Sequence, residues 1–221
     1  CAAGGGRIDF EVLKRTLRFW VSDNNDALER QQIQRGMSYF FPPEVMGCHI
    51  GAKHCHSTRR THDINFRGLT ALFGHMGIEL DPVKEAAEEK EGFIKYVKLH
   101  KQLRPLLHSG NGVRFDSDDE AHLAHGVISK DQEQAVIMIV QLDIPTNSLS
   151  CTLRIPGLKK DAKYSITLLD KPDNFNDIVN HQPLWTEKTL ICSGEWLAKA
   201  GIAVRVMDPE TAVLIKLKMV E

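Results

Sequence analysis

Residues 19–36 read Phe19-Trp20-Val21-Ser22-Asp23-Asn24-Asn25-Asp26-Ala27-Leu28-Glu29-Arg30-Gln31-Gln32-Ile33-Gln34-Arg35-Gly36, and the order of residue types in this stretch decides the fold. Phe19-Trp20-Val21 is a short apolar run suited to a buried strand. Ser22 to Asp26 ends it, because short polar side chains bond neighbouring backbone and favour turns and helix N-caps. Residues 27–35 have good helix propensity, and Gly36 is a helix-stop signal. Strand, polar turn and helix in that order make a βα unit.

The same order recurs downstream. Residues 44–50 form a short apolar segment ending in Gly51, a polar loop follows, and residues 65–73 read as a helix before Gly74. Upstream, residues 9–18 mix apolar and basic side chains at helical spacing. Asp81 as cap and Pro82 in the first turn predict a long charged helix running to about residue 107, with pairs such as Glu91 and Lys95. After Gly110 the texture changes to β-rich runs at 135–142, 150–155, 164–169 and 212–220. Turn residues such as Pro145-Thr146-Asn147 and Pro156-Gly157 separate them, and residues 195–199 read as a helix. The expected class is α/β followed by an all-β antiparallel domain.

The 221 residues are 42% hydrophobic and 26% charged, ordinary globular composition. Lys plus Arg number 28 against 29 for Asp plus Glu, a formal charge of -1, so no basic field attracts nucleic acid or an anionic membrane. No apolar run is long enough to span a bilayer, and the N-terminal residues lack the pattern of a signal peptide. Five scattered cysteines, an odd number, predict reduced thiols and a cytoplasmic setting. The chain opens on Cys-Ala-Ala-Gly-Gly-Gly without a starting Met. A glycine run normally joins elements, so the chain is expected to be part of a longer one.

Asp23 stands where a buried strand ends and a helix is about to begin, the position at which α/β barrels collect catalytic side chains. A carboxylate there is either a working acid or a helix cap, and Asp26, nearer the helix, is the better cap. The flanking loop, residues 1–9, carries three glycines that would let backbone approach a ligand. It has neither the Walker spacing nor the dinucleotide fingerprint.

Four motifs in order, CAAGGGRID, FWVSDNNDALERQQIQRG, YFFPPEVMGCHIG and FRGLTALFGHMGIELD, resemble the end of the catalytic barrel of glycoside hydrolase family 36 α-galactosidases. The family pattern C-x-x-G-G-G-R-x-D followed by W-x-S-D is matched by Cys1, Gly4, Gly5, Gly6, Arg7, Asp9, Trp20, Ser22 and Asp23. LRIPGL and SGEWLAKAGI carry a weaker likeness into the β-rich part. The resemblance implies that residues 1–108 are the last βα units of a (β/α)8 TIM-type barrel with a connecting helix. Residues 109–221 would then form a C-terminal antiparallel β-sandwich.

The resemblance further implies release of α-linked galactose from oligosaccharides such as melibiose or raffinose by a retaining double displacement. Asp23 is then the general acid/base, Cys1 and Gly4 lie against galactose hydroxyls, and no cofactor is needed. Trp20 either walls the sugar site or fills core. The family's nucleophile sits upstream in a Lys-Trp-Asp motif, and none of Trp20, Trp185 and Trp196 has that context. About a quarter to a third of a barrel of roughly 250 residues fits before the long helix, so the chain alone is expected to be inactive.

Three other readings compete. Cys48-His49-Ile50-Gly51-Ala52-Lys53-His54-Cys55-His56 packs five possible metal ligands into nine residues, yet without the paired spacing of structural zinc. A rim loop is the expected role, and no metal is assigned. The β domain could be a carbohydrate-binding or assembly module, although it has few aromatics for a sugar platform, and exposed sheet edges would allow a homo-oligomer. A galactosyl transferase of the same superfamily would share the chemistry and pass the sugar to another saccharide.

Overall fold

The computed structural model describes residues 6–146, 151–176 and 183–220. The chain divides into two compact units, Cys1–His108 and Ser109–Glu221.

In the first unit, three strand positions lie side by side and parallel. Phe19 bridges to Met46, its N–H donating to the Val45 carbonyl and its own carbonyl accepting from Gly47, both at 2.9 Å. Strand β1 (Gly47–Gly51) pairs in parallel with β2 (His75–Glu79), Gly47 opposite His75 and Gly51 opposite Glu79. Helix α2 (Ala27–Met37) joins the first position to β1, and α3 (Ile64–Ala71) joins β1 to β2, the connection that parallel strands require. A short α1 (Phe10–Leu13) precedes them, capped by the Asp9 side chain on the Val12 amide.

Strand alternation sorts the faces. Cys48 and Ile50 are fully buried, and Cys48 Sγ lies 3.3 Å from Gln34 Oε1 of α2. Gly47, His49 and Gly51 therefore turn away from the helices.

Helix α4 (Ala87–Leu107) closes over α3. A Cβ on Gly68 of α3 would meet the Tyr96 ring at 2.3 Å, and one on Gly92 of α4 would meet Ile64 at 2.4 Å. Each helix thus presents a glycine to the other's bulk. Helical Gly costs up to about 1 kcal/mol relative to Ala, which the close packing offsets. Arg67, buried beneath this contact, donates to the carbonyls of Gly51 (2.8 Å), His62 (3.1 Å) and Asp63 (3.2 Å) and pairs with Glu89.

The sequence reading is corrected at three places here. The helix expected over residues 9–18 is only α1, because residues 14–18 are exposed and bury no apolar face. The long helix begins at Ala87 rather than after Asp81. The Asp81 carboxylate accepts from Val83 N–H in a local turn, and residues 81–84 bury nothing that would favour a helix. Strand β2, His-Met-Gly-Ile-Glu, was not read as a strand.

The second unit is built on a six-stranded antiparallel sheet. Its order is β3 (Asn111–Phe115), β4 (His122–Ile128), β5 (Gln134–Gln141), β10 (Thr211–Val220), β7 (Lys163–Asp170) and β8 (Leu190–Ser193). A ribbon of β6 (Thr152–Leu153) and β9 (Ile202–Ala203) shares its core: Leu153 and Ile202 join Ile137, Ile139, Ile166, Val213, Ile215 and Leu217. Helices α5 (Leu184–Glu187) and α6 (Gly194–Lys199) add Trp185 and Leu197. The Trp185 indole N–H donates to the Ala203 carbonyl at 2.8 Å. Gly201, at φ +74°, supplies a left-handed turn where a Cβ would lie 2.3 Å from the Leu153 carbonyl oxygen.

Candidate active site

The two aspartates after the first strand position have different surroundings. Asp26 is fully buried and caps α2, its Oδ1 accepting from the Leu28 and Glu29 amides at 2.9 and 3.0 Å. Its Oδ2 accepts from the Thr58 hydroxyl, while Arg60 and His62 each lie 3.4 Å away. Burial pushes the Asp26 carboxyl up, but the Thr58 hydroxyl, the Glu29 amide, His62 and Arg60 outweigh it and hold the carboxyl below its ordinary value. Both oxygens are committed to fastening the 53–62 loop against the start of α2. Asp23, three residues earlier, is exposed at the bend where the strand ends.

Arg30, one turn into α2, is 1% exposed. It donates to the carbonyl of Ser22 and places its guanidinium 4.1 Å from the Trp20 ring centroid. Among the described residues, its Nε and Nη1 have no hydrogen-bond partner. Burial pulls this guanidinium below its ordinary value, opposed by the nearby Cys48 and by the carboxylates of Glu79 and Asp23. The strand end that carries Asp23 is therefore gripped by a buried cation from the following helix.

On the strand face turned away from the helices, large side chains lean over glycines of the next strand. A Cβ on Gly47 would touch the Trp20 ring at 3.0 Å, one on Gly77 would touch the His49 ring at 2.7 Å, and one on Gly51 would meet the Asn25 amide at 2.9 Å. Glycine at 47, 51 and 77 gives Trp20, His49 and Asn25 room to lie across the sheet. His49 stacks on Trp20 with centroids 4.2 Å apart and planes at 29°, and its Nδ1 donates to Glu79 Oε2 at 2.8 Å. Asn25 Nδ2 approaches the same oxygen at 3.5 Å. The row Trp20, His49, Glu79 runs across three adjacent strand positions beside the Asp23 bend.

The histidine- and cysteine-rich loop is dispersed by the fold. Cys48 points into the helices, and burial pushes its thiol up to about 12. His49 is held by Glu79, the His54 imidazole bonds the Thr61 hydroxyl at 3.1 Å, and His56 is exposed. Burial would raise the Cys55 thiol, but hydrogen bonds from Ser57 and Thr58 hold it below its ordinary value. Among the described residues, no group of three or more His, Cys, Asp and Glu side chains is arranged to hold a metal ion.

Of the residues singled out from the sequence, Asp23 and Trp20 lie three residues apart at one strand end, and Cys1 and Gly4 lie outside the described residues. Trp20 is half-buried, with His49 and Arg30 against its ring. Arg30, His49 and Glu79 were not singled out as site residues. The signal that could have found His49 is the glycine at 77 among apolar strand residues, since a strand glycine marks where a neighbouring side chain crosses.

Comparison with known proteins adds to this geometry. The family model Melibiase matches residues 1–110, and the model of the glycosyl hydrolase family 36 C-terminal domain matches residues 122–217. The α-galactosidase of Escherichia coli is 55% identical over 223 residues, 99% of this chain and 32% of its own length. The bifunctional α-galactosidase/sucrose kinase AgaSK of Mediterraneibacter gnavus is 35% identical over 165 residues, 74% of this chain and 18% of its own. Among solved structures, the galactosidase domain of AgaSK superposes with a TM-score of 0.81 at 30% identity, covering 98% of this chain and 28% of that one. An AgaA variant from Geobacillus stearothermophilus in complex with raffinose superposes at 0.82 and 28% identity, with the same coverage. The chain spans about a third or less of the length of these relatives.

Proposed function

Because this chain belongs to glycoside hydrolase family 36, we propose that it supplies the acid/base side of an α-galactosidase active site, with Asp23 as the acid/base. The observation that carries this reading is the contrast between the two aspartates. Asp26 has both oxygens committed inside the fold, whereas Asp23 is exposed at the C-terminal end of a barrel strand.

In the retaining mechanism an acid protonates the departing glycosidic oxygen while a second carboxylate attacks the anomeric carbon. The same acid, now ionised, then takes a proton from the water that releases the sugar. Asp23 plays the first part and reverses it in the second. The attacking carboxylate belongs to a Lys-Trp-Asp motif that residues 1–221 do not contain. Arg30 acts as a positioning residue, anchoring the Ser22 carbonyl and the Trp20 ring on either side of the turn into Asp23. By resemblance to the family, Cys1, Gly4 and Trp20 are the residues assigned to galactose binding, and the substrate is a galactose-containing oligosaccharide. The odd number and thin spread of the five cysteines are the basis for proposing a reducing, cytoplasmic setting.

A chimera in which this chain replaces the matching third of the Escherichia coli α-galactosidase tests the assignment. It is expected to hydrolyse raffinose and to release galactose first as the α-anomer, read by proton NMR before mutarotation. A folded chimera that releases β-galactose, or that hydrolyses no α-galactoside, would overturn it.

A further inference from the structure

The Glu79 carboxylate has an unusual division of labour. Both of its protein hydrogen bonds fall on one oxygen, Oε2, from His49 at 2.8 Å and from Asn25 at 3.5 Å. The other oxygen, Oε1, makes no hydrogen bond within the described residues, and the side chain is 52% exposed. A carboxylate whose only task was to hold His49 would gain nothing from lying open at a strand end. Here the imidazole fixes its direction and leaves an acceptor facing solvent.

Its place in the fold is equally specific. Glu79 closes β2, two strand positions from the one that ends at Asp23, which corresponds to a span of about 10 Å. Asn25, two residues after Asp23, bridges that span by reaching Glu79. The distance suits one sugar residue or the next in a saccharide whose bond is cleaved at Asp23.

We infer that Glu79, oriented by His49 and Asn25, is a saccharide-binding residue whose Oε1 accepts a hydrogen bond from a substrate hydroxyl. The inference rests on the α-galactosidase reading for the identity of the sugar. Carboxylates suit this task because an ionised acceptor forms shorter and stronger hydrogen bonds to hydroxyl donors than a neutral one. The stack on Trp20 and the space above Gly77 keep the His49 ring in line, so the acceptor is set before substrate arrives.

The test uses the chimera with Glu79→Gln, assayed on melibiose and on monodeoxy melbioses that each lack one hydroxyl. A lost hydrogen bond to a charged acceptor corresponds to roughly a 10- to 100-fold fall in kcat/KM. The expected result is that fall on melibiose and on every analogue but one, the analogue without the partner hydroxyl being hydrolysed equally by both proteins. Unchanged kcat/KM on all substrates, or the same loss on all of them, would overturn the inference. Glu79 is exposed, so folding is expected to survive, and an unchanged Tm checks it. Raffinose titrated onto the folded chimera by NMR separates the two readings. If the chimera cleaves no α-galactoside, the α-galactosidase reading fails. Raffinose binding that Glu79→Gln abolishes then still supports the Glu79 site, and binding that the substitution leaves intact, or no binding at all, overturns it.

Discussion

Replacing Asp26 by Ala removes an acceptor that serves two parts of the fold at once. The Leu28 and Glu29 amides lose their cap, worth about 1 kcal/mol. The Thr58 hydroxyl loses a charged acceptor, worth roughly 1.5 kcal/mol. Arg60 is 38% exposed and 3.4 Å away, so its pairing adds at most about 0.5 kcal/mol. The expected loss is about 3 kcal/mol, or a fall in Tm of roughly 6–12 °C. Asp26→Asn keeps an oxygen for the helix amides and should lose about half as much. The folded-state carboxyl lies below its ordinary value, so its contribution is complete above the unfolded pKa of about 4 and disappears as pH falls through the lower folded value. Asp26→Asn should therefore be less acid-sensitive than the native chain. Thermal melts by circular dichroism at pH 7 and pH 3.5 provide the assay. A variant at Asp26 that melts like the native chain yet abolishes hydrolysis in the chimera would refute the division of roles between the two aspartates.

Two further outcomes follow from packing and charge in the first unit. His75, His100 and His108 cluster with ring centroids 5.2 and 5.5 Å apart, and burial, with Arg104 and the neighbouring imidazoles, holds His75 and His100 below the ordinary value. Arg18 lowers His75 further and Glu44 raises it, while the Leu72 carbonyl raises His100. Their depressed values mean the unfolded chain binds more protons, so stability is complete above about pH 6.5 and falls as pH drops below it. Urea melts at pH 7.5 and 5.5 should show this slope, and His100→Gln should flatten it. Gly68→Ala sets a methyl 2.3 Å from the Tyr96 ring and is expected to cost about 1–3 kcal/mol in the same melts, whereas Gly36→Ala, with nothing within 4 Å, should be neutral or stabilising.

How much of this was legible in the residues depended on burial. Strands β5 and β10 are buried on both faces, so Ala135 to Val140 and Ala212 to Ile215 form unbroken apolar runs that read plainly as strands. Strands β3 and β8 are sheet edges with mixed polarity, and β4 carries His122, His125 and Gly126, so none showed a clear period. Strand β2 is half-exposed and interrupted by Gly77, whose purpose is visible only once β1 lies beside it with His49 opposite. The Asp26 cap was legible because capping is local. The Trp20, His49 and Glu79 row was not, because it joins residues 29 and 30 positions apart through strand register.

The most direct measurement compares leaving groups in the chimera carrying Asp23→Ala. A leaving group that departs without a proton does not need the acid, whereas a sugar alkoxide does. Cleavage-step rates on melibiose should fall by about 10²- to 10⁴-fold and those on 2,4-dinitrophenyl α-galactoside far less, with Tm unchanged. Equal losses on both substrates would contradict Asp23 as the acid/base.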